Sequence, residues 1–466
     1  MDARDTTKTL LSADATPPRS KTQAYYAIHP TWQDVVPIPQ SDAMVPGQLD
    51  PGPALATIAY TPRYAEAMSY LRAVMAKNEV SERALALTED LIGMNPAHYT
   101  VWIYRMSVLK GLWGQGTGII GDDSKPALPP SVMEVLDDEQ LWKKIEVEIT
   151  WLNEIAVRNL KNYQIWHHRH ALVDLLPSDL KSNDTHSEKK SLSTSAKLER
   201  FMADEQRFLA SILSLDTKNY HVWSYRQWLC SRFPSILLPT YRTVKLITPQ
   251  STTSVPAASA TSSISSSYIS HSEVVENEKM IEGDVRNNSA WSHRYFLLFG
   301  QVELCYSTTH GLILKQVNTE QLLRKSGLLD MDLVFAEIEY TKSKIRLAPQ
   351  NASPWNYLRG VLNHGGVAIS TMREFCEEHL GPNKDLWADQ YSEVEIEHNG
   401  DTVKERRPTG VQSSHAVEWL GEIYSTKQGA AYDRSRSKEC YRALADKWDP
   451  IRKRYWEWKV KEMEKE

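Results

Sequence analysis

Lys161 and Lys218 each stand directly before an Asn-Tyr pair, in KNYQ at 161–164 and KNYH at 218–221. A lysine held at a repeated place offers a cation to an anionic ligand. The corresponding places hold Ala97 and Arg286 in related segments, so the two lysines break an otherwise uniform pattern. A solvated surface cation is the competing reading, and spacing leaves both open. His167, His168 and His170 could suggest a metal, yet Tyr225 and His293 occupy the place of His168 in later segments, and no metal site is assigned. No GxxxxGK-Ser/Thr loop, HExxH, GxSxG or paired GxGxxG is present, so nucleotide hydrolysis, zinc proteolysis and serine hydrolysis lack a motif. A complete active site is not visible in this chain.

The elements that position these residues are repeats. HYTVWIYR at 98–105, NYQIWHHR at 162–169, NYHVWSYR at 219–226, NNSAWSHR at 287–294 and NASPWNYL at 351–358 share a tryptophan followed three residues later, in all but the last, by arginine. The anchors Trp102, Trp166, Trp223, Trp291 and Trp355 are separated by 64, 57, 68 and 64 residues, long for helical hairpins and explained by insertions. A helical hairpin cannot bury its apolar stripe alone, so a large Trp at one place per unit reads as the interlock between stacked neighbours. Arg105, Arg169, Arg226 and Arg294 are expected to stack on aromatics or pair with the next unit's carboxylates.

Around the anchors the apolar spacing is helical. Tyr64, Ala67, Met68, Leu71, Val74 and Met75 recur at three and four, with Thr61 as cap, Pro62 in the first turn, and Ser81 opening a second helix that Gly93, Asn95 and Pro96 close. Strand signals are nearly absent, and no Asn-Gly or Asp-Gly turn sits between two alternating apolar runs. The expected fold is all-α. Insertions are expected near 114–130, 178–196 and 393–414, and the Ser/Thr/Ala-rich stretch from Thr248 to Ser272 is expected to be disordered, as is an N-terminal tail over 1–28. A single helical-repeat domain over 29–466 remains.

Composition excludes several classes. Among 466 residues, 54 basic and 59 acidic side chains leave a net charge of −5 and no long basic stripe, so nucleic acid is not an expected partner. Cys230, Cys305, Cys376 and Cys440 are widely spaced and read as reduced intracellular thiols. The N-terminus lacks a secretory signature, no apolar run approaches the roughly 20 residues that cross a bilayer, and the last residues carry no lipidation motif. The Asn183, Asn287 and Asn351 glycosylation triplets are then chance matches.

KNYQIWHHR, DTKNYHVWSYRQW, DVRNNSAWSHRYF and NASPWNYLRG closely resemble the successive repeats of the α subunit shared by protein farnesyltransferase and geranylgeranyltransferase type I. TWQDVVPIPQSD from Thr31, YLRAVMAKNEVSERAL from Tyr70 and DPIRKRYWEWK from Asp449 are similar to that family's flanks, so the resemblance covers about 30–460 apart from insertions. It implies a right-handed superhelical crescent of antiparallel helix pairs wrapped around an α-α barrel β subunit, which would hold the zinc and most of the isoprenoid pocket. This chain would bind no cofactor itself; Zn²⁺ would lie in the β subunit, and Mg²⁺ would serve the farnesyl reaction.

The same resemblance assigns roles. Lys161 would reach the isoprenoid diphosphate and offset the charge growing on it as the carbon–oxygen bond breaks. Tyr220 and His221 would approach that diphosphate too. Tyr163 and Tyr99 would line the substrate pocket, and Gln164 would bind the C-terminal carboxylate of a CaaX peptide. The implied partners are a β subunit, farnesyl or geranylgeranyl diphosphate, and CaaX-ending proteins such as small GTPases, with no membrane span and a cytoplasmic location. The fifth unit departs from the pattern, with Pro354 before its Trp and Leu358 in place of Arg. A Rab geranylgeranyltransferase α subunit and a non-catalytic helical-repeat scaffold are the two alternatives.

Overall fold

The computed structural model describes residues 25–40, 58–115, 136–176, 188–237, 272–300, 331–398, 401–427 and 431–465. The chain divides into two compact units, Met1–Pro177 and Ser178–Glu466. Most of the Thr248–Ser272 stretch lies outside the described residues, as does Cys305.

The first unit contains α1 (Pro62–Ala76), α2 (Glu82–Met94), α3 (Tyr99–Leu112), α4 (Asp138–Arg158) and α5 (Tyr163–Val173). Thr61 and Ser81 cap α1 and α2 as their sequence suggests, their hydroxyls accepting from the N–H groups of Tyr64 and Ala84. Neighbours α1 and α2, α2 and α3, and α4 and α5 pack together. The second unit contains α6 (Glu188–Leu215), α7 (Tyr220–Arg232), the single turn α8 (Pro234–Leu237), α9 (Ser272–Gly283), α10 (Asn288–Tyr295), α11 (Met331–Leu347), α12 (Ala352–Gly365), α13 (Arg373–Glu377), α14 (Ser414–Ser425), α15 (Arg434–Ala443) and α16 (Lys453–Lys465).

Five hairpins share one connector. Residues 95–98, 159–162, 216–219, 284–287 and 348–351 join the two helices of each pair, and in every one the last residue's N–H donates to the carbonyl of the first, between 2.9 and 3.3 Å. So short a turn between packed helices makes them antiparallel. All five anchor tryptophans are buried, between 1% and 7% exposed.

Three expectations are corrected. Residues 25–28, assigned to a disordered tail, are placed: Tyr26 is buried, its hydroxyl donates to Asp90 at 2.6 Å, and Glu66 accepts the backbone N–H groups of Tyr25, Tyr26 and Ala27 at 2.9–3.0 Å. From Glu188 the expected loop over 178–196 is the start of α6, because Lys, Glu, Leu and Ala propagate a helix whether or not a face is apolar. The 393–414 insertion carries an antiparallel pair, β1 (Tyr391–His398) with β2 (Asp401–Pro408), in register from Tyr391↔Pro408 to His398↔Asp401. Asn399-Gly400 lies between the strands, the dipeptide that favours a two-residue hairpin turn.

Candidate functional site

The repeat motif has an inner and an outer part. Inside the first unit, Pro96 O accepts both the indole Nε1–H of Trp102, at 2.8 Å, and the amide Nδ2–H of Asn162, at 2.7 Å. In the second unit Thr217 O takes Trp223 and Asn287 at 3.0 and 3.1 Å, and Val285 O takes Trp291 and Asn351 at 2.8 and 2.7 Å. Pro349 O takes Trp355 at 2.9 Å and the hydroxyl of Ser413, the cap of α14, at 2.6 Å. One connector carbonyl thus ties a unit's own tryptophan to the cap of the following unit. Asn162, Asn219, Asn287 and Asn351 meanwhile accept helical N–H groups with their Oδ1 atoms. With both ends of their amides engaged, Asn287 and Asn351 serve as structural caps.

The arginines follow the same logic. Arg105 holds Glu148 with Nε and Nη2 at 2.7 and 2.8 Å, and stacks on Trp151 with its guanidinium carbon 4.0 Å from the ring centroid. Glu148 also meets His168 Nε2 at 2.9 Å. Burial alone would raise the Glu148 pKa, but the bonds from His168 and Arg105 outweigh it and hold the carboxyl at about 2. The second unit repeats this with Arg226, Glu273 and His293, and with Arg294, Glu337 and Tyr357. Arg105, Arg226, Arg294 and His168 are therefore structural. Glu148, Glu273 and Glu337 went unread in sequence, although each lies 20 residues before its His or Tyr partner.

Cys230, Glu273 and His293 form the one cluster of potential metal donors among the described residues. It does not fit a metal, because Arg226 Nε sits 2.5 Å from Glu273 Oε1 and already occupies that carboxylate with a fixed positive charge. Burial also pushes the Cys230 thiol up, away from the thiolate a metal requires.

The outer part holds the candidate residues. Tyr99, Tyr163 and Tyr220 are each the first residue of a helix and are 60%, 55% and 76% exposed. Lys161 is exposed one residue before Asn162, the cap of α5, whose N-terminus carries the positive end of a helix dipole. Gln164 Nε2 donates to Ala97 O at 3.0 Å, which fixes its amide beside the Tyr99 end of α3 and leaves a second N–H on the same nitrogen. The first unit thus brings Lys161, Tyr163 and Gln164 onto one helix terminus. In the second unit, Tyr220 and the half-buried His221 meet edge to face, centroids 5.8 Å apart, at the start of α7. Lys218, the other odd lysine, lies 3.8 Å from Asp284. Among the described residues no helix is long and apolar enough to cross a membrane.

The family model described as protein prenyltransferase alpha subunit repeat matches residues 81–112, 145–176, 202–233, 271–300 and 334–365. Over 411 residues the chain is 29% identical to the protein farnesyltransferase/geranylgeranyltransferase type-1 subunit alpha of Candida albicans, covering 88% of this chain and 92% of that one. The corresponding subunit of Dictyostelium discoideum is 26% identical over 443 residues, covering 93% and 92%. Among solved structures, Candida albicans protein geranylgeranyltransferase-I complexed with GGPP matches with a TM-score of 0.56 and 27% identity, covering 92% of this chain and 98% of that one.

Proposed function

Because the chain belongs to the protein prenyltransferase α-subunit family, we propose that it is the α subunit of a heterodimeric CaaX protein prenyltransferase, which moves a farnesyl or geranylgeranyl group onto a C-terminal cysteine thiol. The observation that carries this reading is the exposure of Tyr99, Tyr163 and Tyr220 at three helix N-termini while every anchor tryptophan is buried. Aromatic area left outside a well-packed repeat is area for a ligand or a partner chain.

In the proposed reaction the cysteine thiol gives up its proton to solvent, and the bond from the isoprenoid's first carbon to the diphosphate oxygen breaks as the thiolate sulfur bonds that carbon. Negative charge gathers on the departing diphosphate. Lys161, carried next to the α5 cap, supplies a cation there, and Tyr220 and His221 supply hydrogen bonds to the same group. Tyr163 and Tyr99 line the pocket for isoprenoid and peptide. Gln164, oriented by Ala97 O, directs its remaining N–H at the peptide's terminal carboxylate. Zn²⁺ would be held by the β subunit, and Mg²⁺ would accompany the diphosphate in the farnesyl reaction. The β chain, small-GTPase-like CaaX substrates and a cytoplasmic setting complete the proposal.

The test is co-expression with a CaaX-prenyltransferase β subunit and transfer of labelled isoprenoid to a CaaX peptide. Transfer that requires both chains supports the reading. A stable chain that associates with no such β subunit overturns it.

A further inference from the structure

Helix α16 divides its aromatic residues between two opposite faces. Trp456 and Val460, 1% and 8% exposed, fasten it inward, Trp456 lying parallel to Tyr441 at 6.0 Å and donating its Nε1–H to Asp449 at 2.8 Å. Outward, Tyr455 is 43% and Trp458 50% exposed, and Ile451, in the single 3-10 turn Pro450–Arg452 that leads into α16, is 97% exposed. Spacings of four and three put these three on one side of the helical path, and the Tyr455 and Trp458 rings stack at 5.9 Å.

Over residues 452–465 stand six basic residues against three acids, Glu457, Glu462 and Glu464, an excess of positive charge in a chain whose net charge is −5. Glu462 continues the stripe four residues after Trp458 and pairs with Lys465, and Glu464 pairs with Lys438. Arg452 and Lys453 are taken by Asp449 and Asp446. Arg454, Lys459 and Lys461 form no ion pair among the described residues, and Lys459 Nζ lies 5.8 and 5.9 Å from the Tyr455 and Trp458 centroids.

We propose that this outer face of α16 docks the protein on an anionic membrane surface. Ile451, Tyr455 and Trp458 enter the headgroup layer, and Arg454, Lys459 and Lys461 meet the acidic lipid headgroups. Tyr and Trp rings carry an apolar body and a polar tip suited to that boundary, and lysines flanking them complete an interfacial helix. An acidic peptide would match the charge alone. The stripe is the outside of one helix, which suits a broad surface better than an extended chain.

The test is co-sedimentation of the full chain with phosphatidylcholine vesicles, with and without phosphatidylserine. Binding to the phosphatidylserine vesicles should be at least ~10-fold stronger than to neutral ones and should weaken with salt. Ile451→Glu, at a site too exposed to disturb folding, should weaken it ~10-fold or more with unchanged circular dichroism. The pair Lys459→Glu and Lys461→Glu should remove the preference for phosphatidylserine. No binding to either vesicle, or equal binding by wild type and Ile451→Glu, overturns the proposal. So does loss of β-subunit association in Ile451→Glu without vesicle binding in the wild type, which would mark the face as a subunit contact.

Discussion

Arg294 grips Glu337 with two hydrogen bonds, Nε to Oε2 at 2.8 Å and Nη2 to Oε1 at 2.7 Å, across 43 residues of sequence and with both side chains buried. Arg105 and Glu148 repeat the arrangement at the same separation of 43. Such a pair offsets its desolvation only while both charges are present. Arg294→Ala should therefore destabilise the protein by about 3–5 kcal/mol, leaving Glu337 charged and enclosed, whereas Arg294→Met with Glu337→Leu should cost far less. Urea unfolding of both variants decides it, and a single variant no worse than the double one would contradict the argument.

Acid should weaken the protein in two stages. His168 and His293 are pushed below their ordinary value of 6.5, first by burial, with their glutamate partners opposing. Folding keeps them neutral, so below about 6.5 the unfolded chain takes up protons the folded one refuses, and stability declines. Glu148 and Glu273 are held below their ordinary value of 4.5, so their contribution is complete above that pH and is lost as the pH falls further. Unfolding midpoints measured against pH should be flat above 6.5, slope between 6.5 and 4.5, and steepen below. His168→Gln with His293→Gln keeps an N–H donor toward each glutamate and should shrink the first slope. An unchanged first slope would place its origin in other groups.

The tryptophan anchors were legible because a rare, large residue recurring beside an arginine has few uses other than an interlock. Their partners were less visible. Glutamate is common on helix surfaces, and only the constant offset of 20 residues to His168, His293 and Tyr357 separates Glu148, Glu273 and Glu337 from solvated neighbours. The β1–β2 pair escaped notice because only β1 alternates, as Glu393-Val394-Glu395-Ile396-Glu397, while β2 holds a single apolar residue before Pro408, Val403, and so offers no second alternating apolar run across Asn399-Gly400. Lys161 stood out by breaking the repeat, since Ala97 and Arg286 hold the corresponding places in the first and fourth segments.

Asn351 does two jobs that a substitution can separate. Its Oδ1 caps α12 at Ser353 N, 3.3 Å away, and its Nδ2 reaches Val285 O at 2.7 Å. Asn351→Ala loses both and should cost on the order of 2–3 kcal/mol. Asn351→Asp is an equally good cap but sets a carboxylate against a carbonyl, so it too should be destabilised. Calorimetry showing wild-type stability for the aspartate variant would mean that capping alone matters here.

Lys161 and Gln164 should fail in different ways. In the proposed reaction the ammonium would act on charge that develops only as the diphosphate departs, so Lys161→Ala should slow single-turnover transfer by roughly one to three orders of magnitude while the heterodimer stays assembled. In that same reaction Gln164 would contact the bound peptide before and during transfer, a uniform interaction whose loss should raise KM with little change in kcat. Gln164→Ala should therefore weaken a CaaX peptide but leave unaltered one whose terminal carboxylate has been amidated. If Lys161→Ala turns over normally, the cation is a surface charge. If Gln164→Ala impairs both peptides equally, the amide serves the α3–α5 contact through Ala97 O and not the substrate.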